Sequence, residues 1–367
     1  MKKTLLFLLA LSFLFSGCGW MGGSYASVEP YDANQSRKEE GITSVSSYQE
    51  VRSALIQMVE NVEDNRTLSL VDFNSDHVET NLKLAIQSVL SSNPVGAYAV
   101  ENITYELGIV GGVQAVVMKI AYNHNRSEIK SLRQLSGMAA AKNLITGALE
   151  RLDSGVVFLV SGYRDMDFQQ FVDDYAKENP DLVMEIPEVA VSQYPEYGNV
   201  RIVEMKFVYE TSRDALKSMQ SYVRPKFTAA TMFISGEDEP AVKYERLYSF
   251  LMETAEYNLE TSLTPAYSLL RHSVGDSKAF ATIYAAVCRR SGLDCRIVNG
   301  TRSGESWNWN MVCLDGSWYH LDLVDCYLRG GYALRYDQDM VGYVWDYATT
   351  PKSIPLIPSE ETTEITE

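Results

Sequence analysis

Gly275-Asp276-Ser277-Lys278-Ala279-Phe280-Ala281 opens a predicted helix whose Phe280, Ile283, Tyr284 and Val287 fall on one face. Gly292 stops it. Asp294 to Asn299 then reads as a strand. Trp309 to Leu314 and Ser317 to Leu323 follow as two more, joined by Asp315-Gly316, the strongest short hairpin signal. A two-residue turn there sets Leu314 opposite Ser317, Met311 opposite His320 and Trp309 opposite Asp322. Alternation puts Trp307, Trp309 and Met311 on one face with His320 and Asp322, and makes Trp307 and Asp322 diagonal neighbours. A helix packed on that face brings Ser277, Trp307 and Asp322 together. The fold class is α+β.

From about Tyr244 to Tyr347 the chain resembles the transglutaminase-like superfamily, which shares its core with papain-like cysteine proteases. The family pattern runs G-x-C-x-x-x-A at a helix start, a glycine after a strand, H-A-W-N, and an acid in W-Y-H-x-D. This chain supplies Gly275-Asp276-Ser277-Lys278-Ala279-Phe280-Ala281, Gly300, Trp307-Asn308-Trp309-Asn310, and Trp318-Tyr319-His320-Leu321-Asp322. The resemblance implies a helix packed on an antiparallel sheet. It carries the nucleophile onto Ser277, the general base onto Trp307 and the orienting acid onto Asp322, so only the acid is kept. The frame residues Trp309, Asn310, Gly316, Trp318 and Tyr319 are retained. Leu323-Val324-Asp325 departs from the family's Pro-Thr.

The two exchanges bear directly on chemistry. A cysteine at a helix N-terminus ionises readily beside a histidine, and its thiolate attacks. A serine hydroxyl needs a general base within hydrogen-bond reach. Indole offers an N–H donor and no proton acceptor. Loss of a general base costs on the order of a hundred- to ten-thousand-fold. The expected function is therefore that of a degenerate, inactive transglutaminase-like domain that binds a peptide, a cell-wall stem or a partner protein. The alternative is an active hydrolase using Ser277, with His320 on the Asp322 face or His272 in a preceding loop as base. Ser277 or Asp276 reads as the helix cap in preference to a nucleophile.

The whole chain sets further bounds. It has 367 residues, 46% hydrophobic and 22% charged, and two or three domains fit that length. A net charge of -16 with no Lys/Arg run excludes nucleic acid as a partner. Lys2 and Lys3, then the apolar run Leu5 to Phe15, form a targeting segment. Phe15-Ser16-Gly17-Cys18 resembles a bacterial lipobox, which implies a lipid on Cys18 and an extracytoplasmic, membrane-anchored protein. Cys288, Cys295, Cys313 and Cys326 lie in the last third. Cys288 and Cys295 flank a helix end and a strand start, so a disulfide and free thiols both remain open. No short paired spacing suggests zinc. Asp72 to His77 begins like a calcium loop but has His77 at the glycine position and Lys83 at the terminal glutamate position, and reads as a helix-capping turn. Neither metal nor cofactor is expected. His77 and His124 read as surface residues.

Between the ends lies an internal duplication. Lys119-Ile120-Ala121-Tyr122-Asn123-His124-Asn125-Arg126-Ser127-Glu128-Ile129 parallels Lys206-Phe207-Val208-Tyr209-Glu210-Thr211-Ser212-Arg213-Asp214-Ala215-Leu216. Asn93-Pro94 and Asn179-Pro180 each close a helical stretch, and Thr67 to Phe73 parallels Val156 to Val160. Each unit reads helix, strand, helix, strand, strand. The expected organisation is a signal peptide over 1–17, a flexible tether over 18–46, repeats over 47–135 and 136–230, a transglutaminase-like domain over 241–350, and a disordered tail over 351–367.

Overall fold

A computed structural model describes residues 42–73, 76–252, 255–257 and 260–355. The signal peptide, Cys18, most of the tether and residues 356–367 lie outside that range. Among the described residues no helix is long and apolar enough to cross a membrane.

The first unit contains β1 (Thr43–Ser44), α1 (Tyr48–Asn61), β2 (Asn65–Ser69), α2 (Val78–Ser92), α3 (Pro94–Ala99), β3 (Val100–Val110) and β4 (Val113–Tyr122). After α4 (Arg126–Lys130), the second contains β5 (Arg133–Ser136), α5 (Met138–Glu150), β6 (Gly155–Ser161), α6 (Phe168–Glu178), β7 (Glu188–Tyr194) and β8 (Val200–Val208). The sheets run β1-β2-β4-β3 and β5-β6-β8-β7. In each, a short first strand pairs parallel with the second, and the rest pair antiparallel. The segments aligned in sequence occupy the same places. Asn93 and Asn179 are C-caps of α2 and α6, and the side chains of Asn125 and Ser212 cap the helices after β4 and β8.

The structure corrects the first boundary. Thr43 and Ser44 are strand residues, Val45 is buried against α1, and Ser47 caps α1 through the Glu50 N–H, so the folded body begins inside the expected tether. Burial of Val45 removes apolar area from water and holds the chain there.

The last part follows α7 (Arg213–Met232). It contains α8 (Pro240–Met252), β9 (Glu256–Tyr257), α9 (Pro265–His272), β10 (Val274–Gly275) and α10 (Ser277–Arg290). Then come β11 (Cys295–Arg302), β12 (Glu305–Leu314), β13 (Ser317–Leu321), α11 (Leu323–Arg329) and β14 (Tyr343–Trp345). Its sheet runs β13-β12-β11-β14. Helix α10 was expected to bury one face. From Ala279 to Cys288 it is buried all round, because the sheet and the other helices enclose it. Leu216, Val223 and Phe227 of α7 share a core with α8 and α10, so the second repeat and the last domain are packed as one.

The tail also needs correction. Ser353 is buried, its N–H donates to Asp337 at 3.2 Å, and its carbonyl accepts from the Asp337 N–H at 2.9 Å. Residues 351–355 are therefore fixed on the domain. Cys288, Cys295, Cys313 and Cys326 are free thiols, and Cys288, Cys295 and Cys326 are buried.

Candidate functional site

The β12–β13 hairpin has the register that alternation demands: Leu314 opposite Ser317, Met311 opposite His320. Asp315 and Gly316 both have positive φ, as a tight two-residue turn requires. Gly300 on β11 is fixed by packing. A side chain there would meet the Val344 carbonyl and the Trp309 ring at 2.8 Å.

Strand β13 stops at Leu321, one correction to the expected run through Leu323. Asp322 instead caps α11, accepting the Asp325 N–H at 3.0 Å. Its other oxygen, Oδ2, accepts two more bonds: the Trp307 indole N–H at 2.8 Å and the Tyr343 hydroxyl at 2.7 Å. Asp322 and Trp307 are both buried, with Trp307 7% exposed. The indole thus makes the donor contact that an imidazole N–H would make to an orienting acid. It supplies none of the acceptor chemistry.

Ser277 is the first residue of α10, and Asp276 is the cap, accepting the Ala279 N–H at 2.8 Å. Ser277 Oγ accepts the Asn308 N–H at 3.3 Å, which ties the helix start to the strand carrying Trp307. The structure therefore brings Ser277, Trp307 and Asp322 into one place. Tyr257 closes over Trp307, with ring centroids 5.7 Å apart.

The two histidines considered as alternative bases are differently placed. His320 is fully buried. Its Nδ1 accepts the Trp309 indole N–H at 2.9 Å, so its proton sits on Nε2 and is donated to Asp337 at 2.8 Å. Both nitrogens are thereby engaged away from Ser277. His272 is not in a loop but ends α9, edge-on to Tyr267 at 5.4 Å. His124, expected at the surface, is half-buried and stacks on Tyr98 at 4.2 Å. His77 is the N-cap of α2 without a side-chain capping bond. Asp72 accepts from Ser44 at 2.9 Å.

Burial lowers the His320 pKa, and Asp337 only partly offsets this. Its unfolded value is near 6.5. Below that value the unfolded chain binds the extra proton, so His320 contributes stability above it and loses that contribution as pH falls. Between pH 7.5 and 5.5 the denaturation midpoint should fall. His320→Gln, which can accept from Trp309 and donate to Asp337, should flatten that slope.

A charged cluster that sequence reasoning missed lies beneath Asp322. Asp325 is buried and pairs with Arg302, Arg335 and Arg329, the last at 2.8 Å. Burial opposes its ionisation, and Arg335, Arg302 and Arg329 together outweigh it and hold its pKa below the usual range. Arg302 lies over Trp307 at 5.1 Å and Tyr343 at 5.4 Å. The Tyr343 hydroxyl is pushed well up by burial and by Asp322, so it stays a donor. The readable signal was Asp322-x-x-Asp325 at a helix start. Arg329 lies one turn along the same helix, and Arg302 and Arg335 come from other segments.

Residues 228–323 match the model of the transglutaminase-like superfamily. They form a transglutaminase-like domain. Among solved structures, a "TGase" is 10% identical over 65% of this chain and 68% of its own, with a TM-score of 0.26. A "putative cysteine protease" from Cytophaga hutchinsonii is 13% identical over 43% of this chain and 70% of its own, with a TM-score of 0.26. A "putative protease" from Parabacteroides distasonis is 8% identical over 59% of this chain and 35% of its own, with a TM-score of 0.23. No curated protein sequence matches significantly. Ser277, Trp307 and Asp322 fall within the matched residues, and Asp325, Arg335 and Tyr343 lie beyond them.

Proposed function

We propose that this transglutaminase-like domain is a catalytically silent binding module. It would be carried on an extracytoplasmic protein anchored through a lipid on Cys18. Its ligand class is a peptide, a cell-wall stem or a partner protein. The observation that carries this reading is the buried Trp307 N–H bonded to Asp322 at 2.8 Å, at the position of a general base. The donor contact persists while the proton acceptor is gone, and His320, the base on the Asp322 face, spends both ring nitrogens on Trp309 and Asp337. Lys2, Lys3, the apolar run and Cys18 support the anchored location.

The competing reading needs an activated Ser277. A fluorophosphonate probe reports this by covalent labelling. The expected result is no label on Ser277 by mass spectrometry, in wild type or in His320→Ala. Stoichiometric labelling at Ser277 that His320→Ala abolishes would overturn the proposal.

A further inference from the structure

Strand β3 is an edge: β4 lies on one side and, among the described residues, no strand lies on the other. An open strand edge is a row of unpaired N–H and C=O groups ready to pair with another chain. On the helix-side face of β3, Ile103, Tyr105, Leu107 and Ile109 form one stripe opposite Ile120, Met118, Val116 and Gln114. Ile103 is buried, Tyr105 half-buried, Leu107 45% exposed and Ile109 77% exposed. The core runs out along the hairpin and stops in solvent. In the second repeat the matching edge, β7, has Val189 and Val191 half-buried on its helix side. The exposed stripe is thus a property of the first repeat.

We infer that β3 pairs antiparallel with β3 of a second copy, about a twofold axis through Tyr105. Placing Tyr105 on the axis is part of the inference, and symmetry then fixes the remaining pairs. With Tyr105 on the axis, Ile103 faces the partner's Leu107, Thr104 faces the partner's Glu106, and Glu101 faces the partner's Ile109. No charge faces a like charge. On the polar face Lys119 already pairs with Glu106 at 2.7 Å and stands opposite Thr104 within its own sheet. The partner's Glu106 arrives beside that Thr104, so two lysines serve two glutamates across the seam. On the other face, Leu107, which has Val116 opposite it in its own sheet, gains the partner's Ile103 on its open side, and the two four-stranded sheets become one. This pairing leaves the site around Ser277 untouched.

The twofold register makes a specific test possible. Residues directly opposite in an antiparallel pair have Cα atoms about 4.5–5.5 Å apart, within the range a disulfide spans. In the full chain, Tyr105→Cys should form a covalent dimer under mild oxidation. Glu101→Cys, whose symmetry mate lies near the far end of the strand, should not, and neither should wild type. Sedimentation should show wild type associating as concentration rises, with association lost in Ile109→Glu, a change at an exposed position that sets like charges opposite each other at 101 and 109 across the seam. A wild-type chain that stays monomeric throughout, or cross-linking at 101 equal to that at 105, would overturn the inference.

Discussion

Asp325→Asn is expected to destabilise the last domain by about 3–5 kcal/mol, the cost of removing one partner from a buried ion pair. The carboxylate is buried, and Arg302, Arg335 and Arg329 all converge on it. Neutralising it takes from Arg335 its carboxylate partner and leaves Arg302 with Asp322 alone, at 3.8 Å, and both arginines are largely covered. Arg302 also braces the Trp307 and Tyr343 rings, so the loss reaches the site itself. Arg329 is mostly exposed, and Arg329→Ala should cost under about 1 kcal/mol. Urea denaturation of both variants checks the contrast. Equal midpoints would mean that the cluster contributes nothing beyond a surface pair.

The second large effect is functional. Ser277→Cys combined with Trp307→His should produce a thiol that ionises at least one pH unit lower than in Ser277→Cys alone, about a ten-fold gain in thiolate near pH 6. The frame for this is already built. Position 277 begins α10, where backbone N–H groups favour an anion, and Asp322 already accepts an N–H from the ring at 307. An imidazole there would be oriented by Asp322 and could take the thiol proton. Ultraviolet thiolate absorbance as a function of pH reads the result directly. Coincident titrations for the single and double variants would mean that the frame no longer aligns the two positions.

Much of this site was legible because its geometry is local. Asp315-Gly316 and strict alternation determined which residues face one another across the hairpin, and the Trp307–Asp322 contact followed as a diagonal pair. The turn at Asp322 was masked by the pattern around it. Leu321-Asp322-Leu323 continues a strand-like pattern, and only the Asp325 N–H bonding back to Asp322 marks a helix start. Tyr343, Arg302 and Arg335 reach the site from separate strands and loops, and no periodicity reports such long-range convergence. Strands β1 and β5 were missed for another reason. Two and four residues are too few to show a period of two, and their pairing with β2 and β6 is what makes them strands. Helix α10 shows large apolar side chains on one face, Phe280, Ile283, Tyr284 and Val287, yet Ala281, Ala285 and Ala286 are buried as well. Their small size is what allows neighbouring elements to pack around the whole helix.

The central claim is that the site keeps an active-site frame without its chemistry. Its most direct test is turnover by the full chain, measured as release of ammonia from glutamine peptides, exchange of an amine into them, and hydrolysis of peptide bonds. Wild type and Ser277→Ala are expected to be indistinguishable in all three. Hydrolysis or amide exchange that is present in wild type and disappears on Ser277→Ala would contradict it.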